Sequence, residues 1–432
     1  MAALLRAAGH EVVPNPQDAD VVVLNTCTIT HRADADARRA VRRLTRHGAS
    51  VVLTGCFVDA DAQRAAGMEG VASVLGNADK ADIAAAVAHA GGAGSPAAPA
   101  LPNGDASPPP ADTSPLVSVT ALTRNMPMTG LRAARGTRAR ALLKIQDGCN
   151  YACAFCIVPS VRGGSRSLTL PAVLDQLDAL VEAGSPEVVL TGIHLGTWGR
   201  DLRPRRRMTE LVREALPRLG ASRLRLSSID PHEIDDDLLA LLAENPESLC
   251  HHLHLPVQSA DDATLVRMRR GHNCTEFVTT VRRAADILGR PGIGTDVIVG
   301  FPGEDEAAFD RTVETLRDLP LSYLHVFSYS VRRGTAAESM PNHVGPAEIA
   351  RRSRILRELS AQKAAAFAAA HAGKRLDVVV NAHVNPRAET WPALASNYLE
   401  VQLPLADGKR WAGRRIQVTV GACGRAASVC AA

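Results

Sequence analysis

Short apolar runs alternate with amphipathic stretches along most of this chain. Near the start, residues 20–25 (DVVVLN) and 49–54 (ASVVLT) are apolar on both faces, as strands buried in a parallel sheet are. Residues 33–46 and 80–90 carry helical periodicity, so residues 1–90 are predicted to form a small α/β domain. The Gly-, Pro- and Ala-rich stretch 91–116 has no period, and 91–137 reads as a largely flexible linker. From 138 onward, strands are predicted at 141–146, 187–191, 223–227, 252–257, 294–299 and 323–329. Helical patterns at 170–183, 263–268 and 276–288 lie between them. This strand–helix alternation over 138–371 predicts a parallel barrel, and six strands make it a part-barrel rather than a closed eight-stranded one. A helix at 350–371 ends at Gly373, and the strand-like pieces 376–380, 399–403 and 416–420 predict a small β-barrel over 372–432. The break after Gly373 suggests that this last piece is separable from the barrel before it.

Composition narrows the class without changing this picture. The chain has 432 residues, 46% hydrophobic and 22% charged, which fits a globular protein of several domains. A net charge of +4 permits a nucleic-acid partner without demanding one. Neither a long apolar run nor a signal-like start is present, so a cytoplasmic protein with no membrane span is expected, and a monomer. Nine cysteines, an odd number in so long a chain, do not make a disulfide framework.

Three of those cysteines crowd into DGCNYACAFCIVP (147–159): Cys149, Cys153 and Cys156, at C-x3-C-x2-C spacing directly after a predicted strand. In parallel barrels active sites form at strand C-termini. Three thiolates on a tight loop can hold three irons of a [4Fe–4S] cube and leave the fourth iron open. Structural zinc prefers four ligands, usually as two C-x2-C pairs, and no second pair follows downstream. Phe155 stands just before the last cysteine.

That triplet resembles the signature of the radical S-adenosylmethionine (SAM) superfamily. The segments KIQDGCNYACAFCIVPSVRG, EVVLTGIHLGTWGRDL, RLSSIDPHEI, HLHLPVQSADDATLVRMRRGH and TDVIVGFPGEDEAAFD resemble its methylthiotransferases more closely. The resemblance implies an N-terminal methylthiotransferase domain, a radical SAM domain and a C-terminal TRAM-like RNA-binding barrel. It implies Cys149, Cys153 and Cys156 as ligands of the cluster that binds and cleaves SAM. Phe155, Thr191, Gly192 and Gly300 fall at family positions near SAM, and glycine at 300 has an equally good structural reading as a tight strand exit. Ser228 and Gln258 are candidates to touch SAM or substrate, or simply polar caps on the barrel rim. A second, auxiliary [4Fe–4S] cluster is implied on Cys27 (LNTCTIT) and Cys56 (LTGCF) with one more cysteine. In the family that cysteine follows an opening strand, whereas MAALLRAAGHEVV reads as the helix after it, so an upstream start is expected and the auxiliary cluster of the chain as given is in doubt. Cys250, Cys274, Cys423 and Cys430 read as small buried hydrophobes.

Within the family, TGIHLGTWGRDL, SSIDPHEI and LHVFSYSVRRGT resemble the enzymes acting on N6-threonylcarbamoyladenosine at position 37 of tRNA. The implied reaction is methylthiolation at C2 of that base, with tRNA, an electron donor and a sulfur source as partners. His194 is either a wall of the substrate pocket or an ordinary rim histidine. Lys409, Arg410, Arg414 and Arg415, and the run 203–207 (RPRRR), are candidate phosphate contacts or solvated surface. The competing readings are isopentenyladenosine in tRNA, a ribosomal protein, an enzyme that only cleaves SAM, and a non-catalytic metal-containing RNA-binding protein.

Overall fold

The computed structural model describes residues 1–92, 115–122, 126, 128, 138–384 and 388–421, together with the backbone of 426–430. In the N-terminal domain, β1 (Val21–Thr26), β2 (Ser50–Gly55), β3 (Val71–Leu75) and β4 (Leu116–Ser118) form a parallel sheet in that order. Val51, Val52 and Leu53 of β2 are fully buried because helices His31–Arg46 and Ile83–Ala90 cover the two faces. The strand β4 corrects the reading of 91–137 as linker throughout. Its Leu116 and Val117 are exposed and it spans three residues, too few to show a period, yet it pairs in parallel with Ser73–Leu75. Residues 93–114 lie outside the described residues, as do Cys423 and the side chain of Cys430.

The central part is an open barrel. β5 (Arg140–Lys144) runs into a two-residue ribbon of β6 (Gln146–Asp147) and β7 (Arg166–Ser167). β8 (Glu187–Thr191) and β9 (Arg223–Leu226) extend β5 in parallel. β10 (His252–His254), β11 (Gly292–Val299) and β12 (Tyr323–Ser328) make a second parallel sheet, joined to the first by the bridges Leu224–Leu249 and Ser228–His254. Among the described residues this gives the six parallel strands expected, with the barrel open between β5 and β12. One core of Leu, Val and Phe from strands and outer helices, including Leu143, Leu177, Leu190, Phe277 and Val297, closes its outside. On β5, Ala141 and Leu143 point into that core, while Arg140 and Leu142 line the lumen.

The C-terminal part is an antiparallel sheet of β13 (Arg375–Val380), β14 (Thr390–Ala395), β15 (Glu400–Pro404), β16 (Arg415–Val420) and β17 (Ala426–Cys430). Its order is β15-β14-β13-β16-β17, and it curls until β15 and β17 meet. Buried charge ties it to the barrel. Glu187, Arg223 and Arg225 are all buried; Glu187 accepts from both guanidiniums at 2.7–3.1 Å. The same arginines donate to Leu394 O, Ala395 O and Ser396 O and to Asp377 of the C-terminal sheet. Arg415, a candidate RNA contact, is committed here too, to Asp377, Ala221 O and Glu247 O. Tyr398 stacks on His252 with ring centroids 4.2 Å apart and stops the bottom of the barrel.

Candidate active site

The cysteine loop is pinned by the first residue of the ribbon that follows the first barrel strand. Gln146 is fully buried; its Nε2 donates to Gly148 O (2.8 Å), Ser165 Oγ (3.0 Å) and Asp147 O (3.1 Å), and its Oε1 accepts from His194 N (2.9 Å). Gly148 then turns the chain at φ +71°, and a Cβ there would sit 2.1 Å from Gly164 O, so only glycine fits. Burial works against ionisation of Asp147, but Lys144 (2.6 Å) and Arg162 keep its carboxyl below the usual range. The loop is fastened further by Cys149 N–H to Gly163 O and Ala154 N–H to Met268 O. Replacing Gln146 with leucine should speed loss of iron to a chelator about ten- to a hundredfold, since several buried polar groups lose their partner together. Unchanged release kinetics would show that the loop holds itself.

Cys149, Cys153 and Cys156 are free, partly exposed thiols at this strand exit. Burial pushes the Cys156 thiol up to about 11, with the neighbouring Cys153 and Cys149 adding to the shift, so ligation is what would hold these sulfurs as thiolates. A cube spreads its thiolates over separate irons, and the donor set fits it. Phe155 packs edge-on against Phe301, closing one side of the loop.

Around the sulfurs stands a charged ring that motif reading left largely unnoticed. His194 Nδ1 lies 3.6 Å from Cys149 Sγ and its Nε2 is 2.9 Å from Glu233. Burial opposes its charge, but those two hydrogen bonds and the charges of Glu233 and Asp230 push its pKa up to about 10. Arg270 Nη1 lies 3.6 Å from Cys153 Sγ, and its Nη2 pairs with Asp230 at 2.8 Å. The signal was present in SSIDPHEI and RMRRGH, where acids follow a strand and a basic run closes the helix Asp262–Met268. That they converge on the cysteines is a fact of tertiary structure.

The other candidates share the cysteine rim. Thr191 and Gly192 end β8, Ser228 follows β9, Gln258 follows β10 with a left-handed φ of 69°, and Gly300 follows β11. Ser228 is exposed and lines the lumen; Gly192 packs on Gln146. Gly300 has a structural reason of its own: φ is +80° and a Cβ would lie 2.3 Å from Ile349 of the helix Pro346–Ala369.

Cys27 and Cys56 meet at one sheet edge. The parallel register pairs Thr26 with Gly55, and each cysteine is the next residue. Cys27 is exposed; Cys56 is buried and accepts from Arg162 Nε at 3.0 Å. Because Arg162 follows the cysteine loop of the barrel, this edge faces the triplet. Arg332, from beyond β12, donates to Asp34 and Thr28 and fixes the two domains together. Cys250 is buried beside Glu187, as a small hydrophobe would be, while Cys274 is partly exposed at a helix start.

Residues 143–316 match the radical SAM superfamily, and residues 1–76 match a family described as uncharacterized, UPF0004. The threonylcarbamoyladenosine tRNA methylthiotransferase MtaB of Bacillus subtilis is 34% identical over 87% of this chain and 80% of its own length. The chain belongs to the radical SAM methylthiotransferase family. Other members are similar to nearly the same degree. The tRNA-2-methylthio-N(6)-dimethylallyladenosine synthase of Parafrankia is 31% identical over 88% of this chain and 74% of its own. The ribosomal protein uS12 methylthiotransferase RimO of Chloroflexus aurantiacus is 32% identical over 83% and 78%. Among solved structures, the radical SAM methyltransferase TsrM of Kitasatospora setae, with cobalamin and a [4Fe–4S] cluster bound, shares the fold. It has a TM-score of 0.50 at 14% identity, covering 78% of this chain and 68% of that one. As a family member the protein is an enzyme that uses an iron–sulfur cluster and SAM. Among the described residues no helix is long and apolar enough to cross a membrane.

Proposed function

We propose that this enzyme methylthiolates C2 of N6-threonylcarbamoyladenosine at position 37 of tRNA. The observation that carries the chemistry is the juxtaposition of two thiol sites. Cys149, Cys153 and Cys156 sit at the mouth of the barrel, and Arg162, from the same loop region, reaches Cys56 at the edge that also bears Cys27. The first set holds the cluster that binds SAM; the second supplies two ligands of the auxiliary cluster. The first cluster with SAM would supply radical chemistry at C2, and an auxiliary cluster, where complete, would supply the sulfur chemistry. The chain's own residues hold and screen the sulfurs: His194 and Arg270 bring positive charge to two of them, and Thr191, Ser228 and Gln258 stand on the rim where SAM lies. The relatives from Bacillus subtilis, Aquifex aeolicus and Rickettsia prowazekii, 31–34% identical, carry the name of a threonylcarbamoyladenosine tRNA methylthiotransferase, which supports the substrate.

The C-terminal sheet is the proposed tRNA-binding element. Lys409, Arg410 and Arg414 are exposed there, with the Arg410 guanidinium 4.8 Å from the Trp411 ring centroid. The run 203–207 is exposed as well. Mass spectrometry of tRNA nucleosides from a deletion strain tests the substrate. The methylthiolated threonylcarbamoyladenosine should vanish and its unmethylthiolated parent accumulate. Loss of the methylthio group from isopentenyladenosine, or from a ribosomal protein with tRNA unchanged, would overturn the reading.

A further inference from the structure

Below the candidate SAM residues the barrel lumen holds a cavity of about 600 Å³, reaching from Ser228 on the rim down to Tyr398 at the floor. Its polar side is already ordered. Asp296 accepts from His254 Nε2 (2.9 Å) and His325 Nδ1 (3.2 Å), while Tyr323 Oη lies 3.0 Å from His254 Nδ1 and 2.9 Å from His252 Nε2. His325 lines the same side of the cavity, and its side chain is half exposed. Arg225 also lines the cavity, but Glu187 and the carbonyls of the C-terminal sheet satisfy it. Arg140 and Arg138 differ. Both line the cavity, and among the described residues neither has an ion-pair partner, although Arg140 stands opposite Glu187 in the β5–β8 register and adds to the positive charge that lowers its pKa. At the open side Leu142 of β5 and Phe327 of β12 are 55% and 45% exposed.

Two arginines with no ion-pair partner among the described residues, together with an apolar entrance, favour one kind of ligand. It is a flat base whose substituent carries a negative charge. An all-hydrocarbon substituent would desolvate Arg140 and give it nothing in return. We infer that Arg140 is a specificity-determining residue that receives the carboxylate of the substituent on the target adenosine, with Leu142 and Phe327 against the base. This deepens the substrate reading above and rests on it: threonylcarbamoyl ends in a carboxylate, and isopentenyl has none.

The test uses the full-length reconstituted protein and anticodon stem-loops carrying threonylcarbamoyladenosine, its methyl ester, isopentenyladenosine or plain adenosine. Affinities come from fluorescence anisotropy at one salt concentration. The free acid should bind about ten- to a hundredfold more tightly than the methyl ester, as a charge-assisted pair implies. Arg140→Gln should abolish that preference with little change for the ester, and Arg140→Lys should restore part of it. Iron content and binding of the plain stem-loop report whether each variant is folded. Equal binding of acid and ester by the wild-type protein overturns the assignment without any variant, as does a full preference retained in Arg140→Gln. Turnover separates the two levels of the argument. Methylthiolation of the threonylcarbamoyl stem-loop with no acid preference sinks only the role of Arg140, whereas methylthiolation of the isopentenyl stem-loop alone sinks the substrate reading.

Discussion

Replacing any one of Cys149, Cys153 or Cys156 with alanine should reduce SAM cleavage to background and lower the iron of the anaerobically reconstituted protein. The cause lies in the donor set. Three free thiols on one loop supply three of the four positions of a cube. Losing one leaves two protein ligands and a second open iron, a site that neither retains metal nor presents SAM in one geometry. Cys250→Ala is the control. That thiol is buried beside Glu187, far in sequence from the loop, and its loss should leave iron on the triplet unchanged. Iron content, charge-transfer absorbance and formation of 5′-deoxyadenosine are read together. Stoichiometric zinc without charge-transfer absorbance would contradict the cluster.

The largest expected effect on stability comes from one buried carboxylate. Glu187→Gln removes the charge that two fully buried guanidiniums, Arg223 and Arg225, share, and it does so at the seam with the C-terminal sheet. Breaking a buried pair from one side costs about 3–5 kcal/mol, because the remaining charge stays desolvated. Urea unfolding should show that loss, with the barrel and the C-terminal sheet destabilised together. Burial raises the pKa of Glu187, but the two arginines overcome it and hold it at about 2, below the ordinary 4.5. A depressed folded-state pKa stabilises the fold above the unfolded value and ceases to do so as the pH falls through the folded one. Between about pH 4.5 and 2, therefore, apoprotein stability should fall more steeply for wild type than for Glu187→Gln. Parallel curves would show that the pair contributes nothing. Deleting residues after Gly373 should likewise damage the barrel, since it strips the carbonyl partners from both arginines.

What the sequence revealed, and where it stopped, follow from the range of the interactions. The run EVVLT announced a buried parallel strand because both faces are apolar, whereas DVVVLN, equally apolar, is the half-buried edge strand of its sheet; the cysteine triplet carried its chemistry in spacing alone. The strand RLRL (Arg223–Leu226) misleads, because alternation argues for a half-exposed strand. Both arginines are buried, and what buries them starts more than 150 residues later at Asp377. Leu142 misleads in the opposite sense: an apolar residue in a strand, it faces the lumen and is exposed. β4 is too short to show a period and exists only through pairing with β3. Cys27 and Cys56 were legible as two cysteines after two strands, but their adjacency is a property of the Thr26–Gly55 register. His194 was visible as a rim histidine, whereas its sulfur and carboxylate contacts need Cys149 and Glu233, each some forty residues away.

The central claim is that thiolate-held clusters at this strand exit serve methylthio transfer to tRNA. Its most direct test supplies the reduced, reconstituted protein with SAM labelled in its methyl group and with tRNA from the deletion strain, then analyses the nucleosides by mass spectrometry. The account predicts that threonylcarbamoyladenosine gains a methylthio group carrying the label, with 5′-deoxyadenosine formed alongside. Formation of 5′-deoxyadenosine with every nucleoside of the tRNA unchanged would contradict it.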